Sequence, residues 1–361
     1  MNVLLLDTNV SSYPIFECLL EKGYNVFVAG SNPNDCLALT SENYLNFDYS
    51  DFGVLIEQVK KNYINYVIPG CNDLSYKMAA KYNQFIDGEL NIENELTNDK
   101  INVKHLFKEF AYEIGLKIPK KINFNDLMEY SFCPIIVKPS DSFSGKGVTV
   151  IDYFDRKKID VAIELAKNNS KSNTFVVEEF IEGQLFSHSA FIYKGMIKLD
   201  FIVEEHCNFY PFAVDKSWVL DSPNCLFYED IRAEVQKLIN ALQLKPGLIH
   251  TQFIYSKGEL KILEITRRCP GDLYAKLIEY STGINYALLY TDLILNAEVN
   301  FEQPRSKNEI IRETIHKKDK TYFTLNLESF SSIKEFVPIV KTGFLPTVNS
   351  SRLGILFYNK C

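Results

Sequence analysis

PIIVKPSDSFSGKGVTVI, residues 134–151, runs an apolar strand into Lys138, follows it with a loop of small residues, and starts a second strand at Gly147. Small residues let backbone N–H groups converge on phosphate oxygens, and Ser142, Ser144, Gly145, Lys146 and Gly147 add hydroxyl donors, a charge and close backbone approach. A P-loop would need GxxxxGK[ST] opening a helix. Here Gly147 opens the β-branched run Val148, Thr149, Val150 and Ile151, so the loop caps a hairpin. A plain hairpin turn has the same composition, and the neighbouring segments have to separate the two readings.

Downstream, residues 174–183 (TFVVEEFIEG) carry a strand into Glu178 and Glu179 and then into Phe180 and Ile181. Such a segment can offer backbone groups to an adenine edge while the two apolar side chains wall the ring; a strand with a solvated acidic end is the plainer alternative. Upstream, Asn98-Asp99-Lys100 opens a helix predicted over residues 100–115. Lys100, Lys138 and Lys146 together can offset a triphosphate's charge.

A second segment, residues 247–272, reads GLIHTQFIYSKGELKILEITRRCPGD. Strand side chains repeat with period two, so Glu264, Thr266 and Arg268 share one face of one strand, and His250 and Gln252 share one face of its partner. A three-residue loop at Lys257, Gly258 and Glu259 pairs Ser256 with Leu260 and sets Gln252 opposite Glu264. Two oxygen ligands then meet on one surface, which suits Mg²⁺ together with substrate phosphates. A loop one residue longer would put them on opposite faces, and an exposed polar hairpin face remains the alternative.

The rest of the chain sets the frame. At 361 residues and 46% hydrophobic content it should fold as two or three compact units. Its 46 acidic against 39 basic residues give a net charge of −7, which argues against a non-specific grip on nucleic acid or an anionic membrane. The apolar run at residues 3–6 is too short for a signal peptide or a membrane span. The eight scattered cysteines form neither a disulfide scaffold nor a CxxC pattern and read as free thiols in a reducing cytoplasm, and five histidines without HExxH argue against zinc. Residues 1–82 alternate strands (3–6, 25–29, 66–68) with helices (12–22, 51–62, 73–82), a βαβ pattern. The first turn, residues 7–12, has no glycine, so an NAD-binding fold is improbable. The polar stretch at residues 91–99 marks a boundary; strands are predicted at 187–193 and 196–203 and a helix at 230–242. Residues 301–361 read as a small α+β appendage.

In this order, a lysine at a helix start, a strand with lysine, a Gly/Ser hairpin loop, an acidic hinge and a hairpin with amide, carboxylate and arginine resemble the ATP-grasp superfamily. The resemblance spans residues 1–300 and implies α/β and α+β architecture: a Rossmann-like pre-ATP-grasp domain (1–97), an ATP-grasp domain (98–300) with a mobile lid (about 121–186), and the C-terminal subdomain (301–361). It implies ATP and Mg²⁺ as cofactors and a cytoplasmic ligase for small-molecule carboxylate and amine substrates, with neither nucleic acid nor membrane as partner and a homodimer left open.

Carried over by residue, Lys100 and Lys138 match the phosphate-binding lysines, residues 140–147 the lid loop, and Glu178, Glu179, Phe180 and Ile181 the adenine hinge. Gln252 and Glu264 match the metal positions. Thr266 stands where asparagine is usual, and Arg268 closes the motif. Leu185 stands where a ribose-binding glutamate is common, with Gln184 beside it. Gln252 in place of glutamate is similar to carbamoyl phosphate synthetase halves. Residues 270–273 (PGDL) resemble the substrate loop of amino-acid and peptide ligases, which implies Gly271 and Asp272 at the substrate, Asp272 orienting an ammonium group, Arg268 clamping the carboxylate or its acyl phosphate, and His188 and His250 pointing to the same region. A structural histidine is the plainer reading of each. Three activities stay open: a carboxylate-amine ligase working through an acyl phosphate, a carbamoyl phosphate synthetase-like or purine-pathway-like ligase with a phosphorylated substrate, and a nucleotide-binding regulatory protein without chemistry.

Overall fold

The computed structural model describes residues 1–122, 134–140, 145–302, 304, 308–316, 333–339 and 352–360. The N-terminal unit alternates β1 (Asn2–Leu6), α1 (Tyr13–Glu21), β2 (Asn25–Gly30), α2 (Cys36–Thr40), β3 (Tyr44–Asn46), α3 (Phe52–Lys61), β4 (Tyr66–Pro69) and α4 (Asp73–Phe85). Its strands are parallel, in the order β3-β2-β1-β4. Val3, Leu4, Leu5 and Leu6 are all fully buried, which is why β1 reads as a continuous apolar run rather than an alternating one. The Asn72 side chain accepts from the Ser75 N–H and caps α4, fixing Asp73 at the C-terminal edge of the sheet.

Where one helix is predicted over residues 100–115, the structure has two, α5 (Glu95–Asn102) and α6 (Lys104–Glu113). Val103 between them is extended, at φ −87° and ψ 110°. Asparagine and a β-branched residue lose little by leaving a helix, and Asn102 instead donates to the Asn98 side chain at 2.6 Å. The break puts Lys100 and Lys104 on different helices.

Next come β5 (Ile135–Pro139), β6 (Thr149–Ile151), α7 (Arg156–Asn168) and β7 (Phe175–Glu179). The three strands form an antiparallel sheet in the order β6-β5-β7. Helix α7 buries Ile159, Ala162, Ile163 and Ala166, at helical spacing, against Ile135, Val137, Ile151 and Val177.

The remaining elements are β8 (Gln184–Tyr193), β9 (Met196–His206), β10 (Lys216–Val219), α8 (Tyr228–Leu242), β11 (Gly247–Ser256), β12 (Glu259–Thr266), α9 (Tyr274–Thr282), α10 (Tyr286–Ile294), β13 (Ile310–His316), β14 (Ile333–Pro338) and β15 (Arg352–Asn359). Their strands form one sheet, in the order β12-β11-β8-β9-β10-β13-β15-β14. The C-terminal strands therefore do not stand apart as an appendage. They continue the central sheet from β10, covering an edge that would otherwise expose unpaired backbone groups. One face of this sheet, with Phe186, Ile202 and Phe253, packs on α6 and α8. The other, with Phe191, Phe201 and Leu248, packs on α9, α10 and the N-terminal unit.

Candidate active site

The site lies where the second face of the large sheet, the end of β5, the start of α6 and the head of α4 meet. Lys138, near the end of β5, places its ammonium 3.0 Å from Glu178 Oε2, and Lys108 approaches Glu178 Oε1 at 3.2 Å. Burial alone would raise the Glu178 carboxyl, but Lys138 and Lys108 hold it below the usual range. Lys108 is 3% exposed, and burial pushes its ammonium down to about 8 against the pull of Glu178. One turn earlier, Lys104 donates to the Pro139 carbonyl at 3.3 Å. Burial lowers its pKa, while Glu264 and Glu178 oppose that and Lys138 adds to it. Lys104 thus stands between the end of β5 and the β11–β12 hairpin.

Lys100 is not part of this cluster. It is exposed on α5, with its ammonium 5.3 Å from the centre of the Phe110 ring. The signal that could have found Lys104 and Lys108 is their own i, i+4 spacing after Lys100. Of the loop residues, Ser142 and Ser144 lie outside the described residues. Lys146 is exposed, and Gly145 and Gly147 turn the chain at φ +70° and +72°. A Cβ on Gly147 would come within 2.7 Å of Asn169 Cβ and 2.9 Å of Pro139 Cγ, so the turn needs glycine there.

At the hinge, the Glu179 carboxylate accepts from the Lys120 N–H at 2.9 Å, and the Phe180 N–H donates to the Pro134 carbonyl at 2.9 Å. The end of β7 is thus tied to residues 120 and 134, with Phe180 and Ile181 half-buried. Gln184 spends its amide N–H groups on the Leu185 and Glu205 carbonyls.

On the hairpin, Gln252 faces Glu264 as the period-two reading predicts, by a different route. The loop has two residues, Lys257 and Gly258, both at positive φ, and Ser256 pairs with Glu259. That turn alone would set Gln252 against Leu263. A bulge between Gln252 and Phe253 takes up one residue of β12 and restores the pairing. Glu264 is exposed, and the Thr266 hydroxyl sits 3.5 Å from Asp73 Oδ1. Among the described residues no three His, Cys, Asp or Glu side chains form a metal-holding group. One carboxylate with an amide and a hydroxyl oxygen is nevertheless a hard-oxygen set that fits Mg²⁺ when substrate phosphates and water complete the shell.

A carboxylate not foreseen in the sequence completes this surface. Glu205 on β9 is 4% exposed and accepts from Gln252 Nε2 at 2.7 Å. Burial pushes its pKa up to about 7, with Glu264 adding to the shift and Ser187, Arg312 and Gln252 opposing it.

Arg268 donates through Nε to Asp73 Oδ1 at 2.6 Å, tying the hairpin to α4. Beyond it, the Asp272 N–H donates to Ser11 Oγ at 2.9 Å, which sets Gly271 and Asp272 against the first turn of the N-terminal unit. The Asp272 side chain is paired with Arg352 and lies 3.7 Å from Arg312. Against burial, these two arginines hold its carboxyl below the usual range. With its charge already met by two guanidinium groups, Asp272 does not favour the expected ammonium-orienting role. His188 also departs from expectation. It lies on the opposite face of β8, fully buried, with Nε2 2.8 Å from Asp200, whose other oxygen takes Arg232 and Tyr228 of α8. His250 does face the site, where its Nδ1 is 2.6 Å from Ser189 Oγ. Burial, with Arg268 nearby, pushes its pKa down to about 3, so it stays neutral.

The lysines on Glu178, the glycine turn at residues 145–147 and the hairpin face with Gln252 and Glu264 are thus all in place. The ATP-grasp domain model matches residues 131–275 of the chain. It is 23% identical over 232 residues to the C-terminal section of the carbamoyl phosphate synthase large chain of Aquifex aeolicus, covering 62% of this chain and 41% of that protein. It is 27% identical over 209 residues to the phosphoribosylamine–glycine ligase of Streptococcus pneumoniae, covering 53% and 48%. The chain thus spans less than half the length of these curated relatives. The crystal structure of the L-amino acid ligase from Bacillus licheniformis superposes with a TM-score of 0.79 at 18% identity, over 99% of this chain and 92% of that one. No helix among the described residues is long and apolar enough to cross a membrane.

Proposed function

We propose that the chain is an ATP-dependent carboxylate-amine ligase. A substrate carboxylate oxygen attacks the γ-phosphorus and ADP leaves; an amine nitrogen then attacks the acyl carbon of the acyl phosphate, phosphate leaves and the nitrogen sheds a proton. The observation that carries this reading is the convergence of Lys104, Lys138, Gln252, Glu264 and Arg268 on one cleft from four separate elements and the segment that follows β12. Phosphoryl transfer needs chiefly positioning and charge stabilisation, so this reading requires no nucleophilic triad. Lys104 and Lys138 would hold the β and γ phosphates, and the turn at residues 145–147 would close over them to keep water from the acyl phosphate. Glu264, Gln252 and Thr266 would hold Mg²⁺, which supplies charge stabilisation to the transferring phosphoryl oxygens. Arg268, fixed by Asp73, would present its fork to the carboxylate or the acyl phosphate.

The acceptor is an unphosphorylated amine on this reading. Ligands of open α/β sheets bind at the C-terminal ends of the strands. In the N-terminal unit these ends carry residues 7–12, 31–35, 47–51 and 70–73, which include Asp7, Asp35, Asp48, Asp51 and Asp73 but no lysine, arginine or histidine. The Asp7 carboxylate itself fills the first turn, accepting from the Asn9 N–H, the Ser12 hydroxyl and the Cys71 N–H at 3.0, 2.7 and 3.3 Å. That arrangement supports an acceptor without phosphate over the phosphorylated alternative. The test is ADP release by the purified chain with Mg²⁺-ATP over a panel of carboxylates and amines, phosphorylated amines included. Release that needs both a carboxylate and a plain amine is expected. ATP binding without turnover across the panel would refute the ligase and leave a nucleotide-binding regulator.

A further inference from the structure

Across the second face of the large sheet runs a polar stripe: Glu264 on β12 pairs with Gln252 on β11 and Gln252 with Ser187 on β8; one diagonal step on, Glu205 on β9 pairs with Ser217 on β10 and Ser217 with Arg312 on β13. Gln252 and Glu205 belong to strands separated by β8, so their backbones lie at least about 10 Å apart at the usual strand spacing. Ser187, which pairs directly with Gln252 and lies diagonal to Glu205, is a small side chain that leaves room for the two to meet. The contact is made at 2.7 Å from Gln252 Nε2 to Glu205 Oε2. Glu205 is in turn backed by Ser217, directly opposite it, and by Arg312, whose Nε donates to Ser217 Oγ at 2.9 Å.

We propose that Glu205 is a positioning residue for the cation site: by taking the Gln252 amide nitrogen, it leaves the amide oxygen as the atom Gln252 presents to a divalent ion. An amide has two chemically distinct ends, and only its oxygen ligates a hard cation. A glutamine at a metal position therefore needs a partner that fixes its orientation, and a carboxylate can only accept. In this chain the carboxylate missing from β11 stands on β9 and acts through the amide. The inference rests on the nucleotide-ligase reading of the same cleft.

The test measures Mn²⁺ binding by electron paramagnetic resonance in the presence of ADP, beside metal-free ADP binding by calorimetry, for the native chain and Glu205→Gln. Loss of an outer partner of a metal ligand typically costs about 10–100-fold in metal affinity. That loss is expected here, with metal-free ADP affinity unchanged, a split that general damage to the fold would not give. Native Mn²⁺ affinity in a folded Glu205→Gln variant would overturn the positioning role. A native chain that binds neither ADP nor Mn²⁺ would instead overturn the nucleotide reading. Should the variant fail to fold, a crystal structure of the native chain with Mn²⁺ and a non-hydrolysable ATP analogue decides. One Gln252 amide atom on the metal and the other on Glu205 supports the inference; Glu205 on the metal, or out of contact with Gln252, overturns it.

Discussion

Lys108 can be removed at little cost to stability, whereas its partner Glu178 cannot. The two sit with Lys138 in one buried cluster, at 3%, 2% and 17% side-chain exposure. Glu178→Gln removes the one anion and strands two ammonium groups, the situation that costs about 3–5 kcal/mol when a buried pair is broken. Lys108→Met removes a strained charge and leaves Glu178 paired with Lys138, so its cost near neutrality should stay below about 1.5 kcal/mol, as for other volume-conserving core changes. The pH dependence separates the two effects. The ordinary lysine value is 10.5, and burial sets Lys108 at about 8. As pH rises through about 8, the folded chain releases this proton while the unfolded chain keeps it until about 10.5, so native stability gains over that window relative to the methionine variant. The full gain is about 3 kcal/mol. Any advantage of Lys108→Met should thus be greatest below pH about 8 and shrink toward pH about 10. Urea unfolding of both variants and the native chain near pH 7 and near pH 10, followed by circular dichroism with hydrogen exchange over β5 and β7, measures this. A Lys108→Met penalty as large as that of Glu178→Gln, and flat with pH, would refute the reasoning.

Lys104→Met should weaken ATP binding by at least about tenfold, the worth of one charge-assisted contact of about 1.5–3 kcal/mol, while Lys100→Met leaves it unchanged; calorimetric titration of the two variants compares them directly. Glu264→Gln should lower Mg²⁺-dependent turnover by about a hundredfold or more, since a metal's charge stabilisation is worth several kcal/mol. ADP-release kinetics across a range of Mg²⁺ concentrations read that loss.

The sequence made periodicity legible, and with it the alternating N-terminal unit, the hairpin at the lid and the facing of Gln252 with Glu264. What it hid were one-residue events. The hairpin has a two-residue loop and a compensating bulge, and the two together mimic the three-residue loop that the pattern suggests. Along β8, period two separates Ser187 and Ser189 from His188 but does not say which set faces the cleft. The answer depends on α8, which brings Arg232 and Tyr228 to Asp200 and thereby to His188. Val103 breaks a helix whose apolar spacing continues past it, and that break removed Lys100 from the cluster and admitted Lys104. Glu205 and Arg312 were illegible for another reason: each meets its partner, Gln252 or Ser217, only across 47 or 95 residues of sequence.

The position of the loop at residues 270–273 shows what the C-terminal strands contribute. Asp272 and Leu273 both adopt left-handed backbone, at φ +55° and +56°, a conformation that costs about 1–3 kcal/mol for a residue with a side chain. Such a kink persists only when its surroundings hold it. Arg312 on β13 donates to the Asp272 carbonyl at 3.2 Å, Arg352 on β15 takes the Asp272 carboxylate, and Ser11 of the N-terminal unit accepts from its N–H. Three segments distant in sequence therefore fix one residue, and two of them come from the last fifty residues described. Arg312 is also the side chain that backs Ser217 beside Glu205. The same guanidinium thus anchors the loop at residues 270–273 at one end and the polar stripe leading to Gln252 at the other. The C-terminal strands belong to the site for that reason: without β13 the strained loop loses its main clamp, and the Glu205 carboxylate loses the positive charge that offsets its burial.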